Sequence, residues 1–276
     1  MTGLRGRVAA IQMASSPNAN ANLMEADRLI AQAVEAGAEL VVLPENFAFI
    51  GAAEEDKLKL CEADGQGPLQ DFLTQSAKRY RVWIVGGTIP LEAQDPGKVR
   101  AACLVLDDKG ERVGRYDKMH LFDVTLPEHG EHYYESQTIE PGDDALVVET
   151  PFGRLGVAIC YDLRFPELFR HMLDQGLELL ALPSAFTRVT GQAHWEILVR
   201  ARAVENLIYV IAAAQGGYHR SGRETYGHSM IVGPWGTILA EAPSGPGFIR
   251  ADLDCGCQAN LRQHFPALSH RRLKCD

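Results

Sequence analysis

The sequence predicts an α/β protein built as a four-layer αββα sandwich, and three observations lead there. Apolar, strand-like runs alternate with helical patterns along most of the 276 residues. The runs number roughly a dozen, more than a single doubly wound sheet usually carries. No G-x-G-x-x-G follows the first strand, which removes the dinucleotide-binding signal of a Rossmann-type sheet. No short repeat, low-complexity segment or linker divides the chain. A single domain over 1–276 is expected, with a core of about residues 5–254 and a C-terminal tail over 255–276.

The elements follow in order. "RVAAIQM" (7–13) is a strand, and "ANLMEADRLIAQAVEAGA" (21–38) repeats apolar residues at helical spacing until Gly37 ends it. "LVVLPE" (40–45) is a second strand and "LQDFLTQSAKRY" (69–80) a second helix. Three further strands are "VWIVGGT" (82–88), "AACLVLD" (101–107) and "ERVGRYDK" (111–118), the last two joined by a hairpin turn at "DDKG". Residues 119–144, rich in His, Glu, Tyr, Pro and Gly, read as a long irregular stretch. Loops of that length inside a compact domain are usually functional or disordered. "ALVVET" and "GRLGVAIC" resume the strands, followed by a helix over 165–175, a strand in "LELLALP", a helix over 192–205 and a strand in "LIYVIAAA". "GHSMIVG", "TILAEA" and "FIRADLD" form a meander, and a short helix near 256–263 opens the tail.

Composition narrows the partners. With 27 Lys and Arg against 36 Asp and Glu, the formal net charge is −9, and no basic run exceeds "HRR". Nucleic acid and anionic membrane surfaces are therefore not expected partners. No apolar run approaches the ~20 residues of a membrane span, and no signal-peptide pattern opens the sequence, so a cytoplasmic protein is expected. The six cysteines at 61, 103, 160, 255, 257 and 275 do not make a disulfide framework in a chain of this length. Cys103 sits in an apolar strand and reads as core. Cys255 and Cys257 form a C-x-C, without the C-x-x-C spacing of zinc ribbons, and Cys275 lies near the C-terminus. Histidine pairs such as His219 with His228, or His129 with His132, have no recognisable metal-site spacing.

Three strands end on residues that chemistry can use: Glu45, Lys118 and Cys160. Ligands in α/β architectures gather where strands end and loops begin. A carboxylate, an ammonium and a thiol meeting there supply a base, an electrostatic clamp and a nucleophile. Each alone reads equally as a solvated strand end, or for Cys160 as a small core side chain. A Cys-His-Asp scheme is the rival, with His120, His194 and His228 as candidate bases.

Taken together, "VVLPENF", "YDKMHLFD" and "ICYDLRFPEL" resemble the Glu-Lys-Cys motifs of the nitrilase superfamily of carbon–nitrogen hydrolases, and the resemblance runs over essentially the whole chain. It implies an αββα sandwich that hydrolyses amides or nitriles through a covalent intermediate on cysteine, with no metal and no organic cofactor. In that scheme Cys160 attacks, Glu45 accepts and returns the proton, and Lys118 with the backbone N–H of Tyr161 stabilises the oxyanion. Glu135 matches a second glutamate that holds the lysine, with Glu128 and Glu131 as rivals in the same loop. The histidines are not the base. The resemblance further implies a homodimer, or a larger homo-oligomer, through the helices after the nucleophile.

"CYDLRFPEL" and "SAFTRVTGQAHWE" are most similar to the branch of this family that cleaves amides of small dicarboxylic acid derivatives. Arg164 is then expected to take the acyl carboxylate, because a guanidinium binds carboxylate in a bidentate fork. Phe186 and Thr190 correspond to positions lining the acyl pocket. The leaving group, ammonia or a larger amine, depends on the stretches 119–144 and 218–228. A catalytically idle scaffold would show a broken triad, and this sequence keeps all three residues.

Overall fold

Strict alternation of buried side chains sets the architecture. In the first strand Val8 and Ala10 join one apolar cluster, while Ala9 and Ile11 join another. Leu40 and Val42 divide from Val41 and Leu43 in the same way. Both faces of this sheet are therefore apolar and need a covering layer. The computed structural model describes residues 5–127, 130–220 and 222–273.

The first sheet is built from β1 (Arg5–Gln12), β2 (Leu40–Val42), β3 (Trp83–Val85), β4 (Ile89–Glu92), β5 (Val99–Leu106) and β6 (Arg112–Asp117). β1, β2 and β3 run parallel, and β5 pairs antiparallel with β3, β4 and β6. A two-stranded arm follows, β7 (Asp123–Leu126) with β8 (Glu131–Tyr134). The second sheet takes β9 (Leu146–Thr150), β10 (Gly153–Val157), β11 (Leu179–Ser184) and β12 (Tyr209–Ala214), the last three parallel. A small hairpin of β13 (Gly216–Tyr218) and β14 (Glu224–Tyr226) precedes β15 (Met230–Val232) and β16 (Ile238–Glu241), which complete that sheet in the order β16-β15-β12-β11-β10-β9. Finally β17 (Gly247–Asp254) returns to the first sheet and pairs with β1 along its whole length.

Helices α1 (Ala19–Glu35) and α2 (Pro68–Tyr80) cover the outer face of the first sheet through Ala26, Leu29, Ile30, Leu69, Leu73 and Ala77. Helices α3 (Pro166–Asp174) and α4 (Arg188–Asn206) belong to the other cluster, where Leu168, Phe169, Met172, Trp195, Val199 and Ala203 pack with the second sheet. The inner residues of both sheets share that cluster. The order is helices, sheet, sheet, helices: the expected αββα sandwich. A last helix, α5 (Cys255–His264), opens on the side chain of Asp254, which accepts from the Cys257 N–H at 2.9 Å.

Three local expectations are corrected. The stretch 119–144 is not irregular throughout, because its middle forms the β7–β8 arm, followed by a 3-10 turn at Glu135–Gln137. The run 82–88 breaks after Val85, and a separate strand starts at Ile89. Gly87 lies at φ +58°, and a Cβ there would meet the Pro44 carbonyl oxygen at 2.2 Å. The break thus lets the chain before Glu45 pass against bare backbone. Helix α4 starts at Arg188 rather than 192, capped by Thr187, whose Oγ1 accepts from the Thr190 N–H at 3.2 Å. Gly191 lies inside the helix, where a Cβ would meet the Tyr226 side chain at 2.3 Å. A 3-10 segment at Glu54–Leu60 was not anticipated.

Candidate active site

Glu45 lies just beyond β2, Lys118 just beyond β6 and Cys160 just beyond β10, so both sheets contribute. The three side chains line one pocket of about 520 Å³. The Lys118 ammonium donates to Glu45 Oε1 at 2.8 Å and to both Glu135 oxygens at 2.8 Å. Lys118 is 1%, Glu45 4% and Cys160 8% exposed. Burial disfavours the Lys118 charge, but Glu135 and Glu45 outweigh it and hold its pKa well above the ordinary 10.5. The ammonium is therefore a permanent feature of the site.

The thiol is in the opposite condition. Burial and the neighbouring Glu45 carboxylate push its pKa well above 9.0, against the weaker pull of Lys118 and of the Ala185 N–H. At neutral pH the site holds a thiol beside a base, not a ready thiolate. Cys160 sits at φ 49° and Asn46, directly after Glu45, at φ 55°. Left-handed backbone costs an ordinary residue about 1–2 kcal/mol, so the surroundings hold both turns in place.

Those surroundings can be named. The wholly buried Asp162 accepts the Tyr116 hydroxyl and the Ile159 N–H at 2.8 Å on one oxygen. Its other oxygen takes the His120 N–H at 2.9 Å and faces His120 Nδ1 at 2.7 Å. The Cys160 turn is thereby tied to the segment carrying Lys118. On the Glu45 side, the Asn46 N–H donates to Thr88 Oγ1 at 2.8 Å. Gln215 Nε2 donates to the Glu45 carbonyl at 3.0 Å and to Ser15 Oγ at 2.8 Å. Gln215 follows β12, so it fastens the second sheet to the loop bearing Glu45.

Glu135, at the foot of the β7–β8 arm, is the glutamate that reaches Lys118, and it also accepts the Phe122 N–H at 2.7 Å. Glu131 instead accepts the Tyr133 hydroxyl, and Glu128 and His129 lie outside the described residues. Tyr161, Arg164, Phe186 and Thr190 all line the pocket. Arg164 spans the Tyr161 and Phe186 rings at 5.7 and 5.4 Å, and among the described residues no carboxylate pairs with it. The Tyr161 N–H likewise has no acceptor among them. His120 is held by Asp162, while His194 is exposed, not buried as a packing residue, and meets Arg164 at 3.3 Å. His228 pairs with Glu241, and the buried His219 bonds Ser15 and Thr225. None of these four lines the pocket.

Cys103 is buried as expected. Cys255 and Cys257 bond the Phe152 carbonyl and Asp254, and Cys275 lies outside the described residues. Among the described residues no group of three or more His, Cys, Asp or Glu is placed to hold a metal ion. None of their helices is long and apolar enough to cross a membrane. Glu54, Lys57 and Arg223 also line the pocket; Arg223 falls in the 218–228 stretch expected to bear on the leaving group, whereas Glu54 and Lys57 lie in no stretch the sequence singled out.

A buried Glu-Lys-Cys constellation between two sheets, with a second glutamate on the lysine, defines a class of hydrolase, and the chain belongs to the carbon–nitrogen hydrolase family, whose pattern matches residues 7–263. This is the nitrilase superfamily, and the protein is an enzyme of its amide-hydrolysing kind. Deaminated glutathione amidase of Synechocystis sp. is 46% identical over 95% of this chain and 97% of its own. Among solved structures, the NitFhit protein of C. elegans is 37% identical with a TM-score of 0.88, covering 99% of this chain and 66% of that longer one. Nit3 of Saccharomyces cerevisiae, a member of branch 10 of the superfamily, is 34% identical with a TM-score of 0.87 over 98% and 97%.

Proposed function

We propose that the protein hydrolyses deaminated glutathione to 2-oxoglutarate and cysteinylglycine through a thioester on Cys160. The observation that carries the chemistry is the convergence of Glu45, Lys118 and Cys160, with the thiol protonated and the lysine charged. The substrate rests on the relatives that carry that activity in their names, including those of Synechocystis sp. at 46% and Homo sapiens at 42% identity. The blocks "YVIAAAQGG", "YGHSMIVGPWGTILAEAPSGPG" and "FPALSHRR" resemble the same enzyme in sequence.

In this reading Glu45 removes the thiol proton as Cys160 Sγ bonds to the amide carbon. The charge gathering on the carbonyl oxygen meets the Lys118 ammonium and the Tyr161 N–H, donors already in place before reaction. Losing one such donor typically costs about 3–4 kcal/mol. As the C–N bond breaks, Glu45 passes its proton to the departing amine, leaving the thioester. Water then attacks with Glu45 again as base, the C–S bond breaks, and the thiol recovers the proton. Glu135 keeps Lys118 aimed. Arg164, with no carboxylate of its own, takes the acyl carboxylate beside Phe186 and Thr190.

An ω-amidase acting on 2-oxoglutaramate shares the same acyl half and is the second reading. Comparing kcat/KM for the two amides decides between them. A tenfold preference for deaminated glutathione, about 1.4 kcal/mol in transition-state binding, supports the first, and the reverse preference replaces it. A cytoplasmic homodimer belongs to the same proposal. Ile197 and Val204 on α4, 70% and 47% exposed, and Trp235 at 62% supply an apolar face for a second copy.

A further inference from the structure

Resting on that reading, we infer that a second cavity beside the nucleophile is a built site for the leaving group, in which Lys57 and Arg223 bind the terminal carboxylate of a departing peptide amine. This cavity, of about 980 Å³, shares the wall formed by Asn46, Glu54, Lys57, Tyr133, Tyr134 and Arg223 with the catalytic pocket. Cys160, Arg164, Phe186 and Thr190 border the catalytic pocket alone. The two spaces therefore meet across a wall to which Cys160 and the acyl-binding residues do not contribute. An amide whose acyl half lies against Arg164 projects its amine half through the shared wall.

The charges at that wall are arranged for an anion. Lys57 donates to Glu54 at 2.6 Å, and Arg223 stands 3.9 Å from the same carboxylate. Arg223 is fixed by its bond to the Ala185 carbonyl at 2.9 Å and lies over the Tyr133 ring at 5.4 Å. Among the described residues that border the cavity, Lys57 and Arg223 stand on either side of the Glu54 carboxylate, and the other acid, Glu55, is exposed to solvent. Burial raises the Glu54 pKa, but Lys57, Arg223 and Lys118 more than reverse this and keep it below the usual carboxylate range. Glu54 thus stays ionised and spaces the cations apart. A dipeptide amine carries its carboxylate about 7 Å from the scissile nitrogen, within the reach of an adjoining chamber. Ammonia has nothing to place there. The subsite therefore selects peptide amides that end in a free carboxylate over primary amides.

The test compares kcat/KM for deaminated glutathione, its C-terminal carboxamide and 2-oxoglutaramate, in the wild type, Lys57→Met and Lys57→Arg. The expected result is a preference of tenfold or more for the free acid over the carboxamide in the wild type. Lys57→Met should erase that preference chiefly through KM, and Lys57→Arg should retain it. A wild type that treats acid and carboxamide alike overturns the subsite, as does a preference that survives in Lys57→Met. Turnover of 2-oxoglutaramate with none of either peptide amide overturns the parent reading and the subsite with it. Turnover of both peptide amides at equal rates overturns the subsite alone.

Discussion

Replacing Glu45 by Gln should move two reactivities of Cys160 in opposite directions. Glu45 is, after burial, the largest influence raising the Cys160 pKa, and Lys118 is the main one lowering it. The substitution removes the first and leaves the second, with Glu135 still bound to Lys118. Two unit charges at ~4 Å interact by about 4 kcal/mol at an effective dielectric constant of 20. Losing even a third of that interaction, about 1.4 kcal/mol, raises the thiolate fraction about tenfold at neutral pH. Carboxamidomethylation by iodoacetamide, followed by intact mass across pH 6–10 with Cys160→Ala to subtract the other thiols, should accelerate by that factor or more near pH 7. Amide hydrolysis should fall by about 10²–10⁴, the usual contribution of a general base. A variant that alkylates no faster than the wild type at pH 7, or that keeps its hydrolytic rate, would refute the assignment of Glu45 as the base acting on a protonated thiol.

Removing the cation instead, with Lys118→Met, leaves Glu45 and Glu135 buried without their shared partner. A loss of about 3–5 kcal/mol in stability is expected from breaking a buried pair this way, alongside loss of turnover; unchanged denaturant unfolding would contradict it. Stability should also fall as pH rises through the alkaline range. The unfolded chain ionises Cys160 from about pH 9.0 and deprotonates Lys118 from about 10.5, while the folded protein holds both protons longer. Denaturation midpoints should therefore decline between pH 8 and 10.5, and less steeply in Cys160→Ala; equal slopes would count against it. Asp162→Asn should destabilise the nucleophile turn by about 2–3 kcal/mol. Each Asp162 oxygen already faces a backbone N–H, from Ile159 or His120, so an amide group clashes in either orientation. Thermal unfolding within a degree or two of the wild type would dispose of that account.

The alternation in "RVAAIQM" and "LVVLPE" made the buried sheet legible, and the polar ends of three strands pointed to Glu45, Lys118 and Cys160, which the fold brings into one pocket. What the sequence hid is what depends on distant pairing. Asp162 stands in the same block as Cys160, yet its role comes from Tyr116 and His120, more than forty positions earlier. Glu54 and Lys57 look like solvated charges on a short turn, because nothing local tells a pocket rim from a surface. The β7–β8 arm escaped notice because its His, Glu and Tyr residues alternate between intermediate and exposed and never display an apolar face. Gly191 sits inside α4 because Tyr226 packs against it, yet in sequence a glycine kept for close packing looks the same as one that ends a helix.

The seam between the sheets carries a further consequence. Glu45, Lys118 and Glu135 all come before residue 146, where the second sheet begins, and Cys160 comes after it. The chain is thus two successive halves, each supplying part of the proposed site, joined through the Gln215 bonds and the Asp162 clamp. Among the described strands of the second half, β17 alone joins the first sheet, laying its eight residues along β1 as a latch. Turnover therefore reports the mating of the halves. A chain severed near residue 144 would recover hydrolysis only when its two pieces dock in register, which makes the enzyme a natural scaffold for fragment complementation.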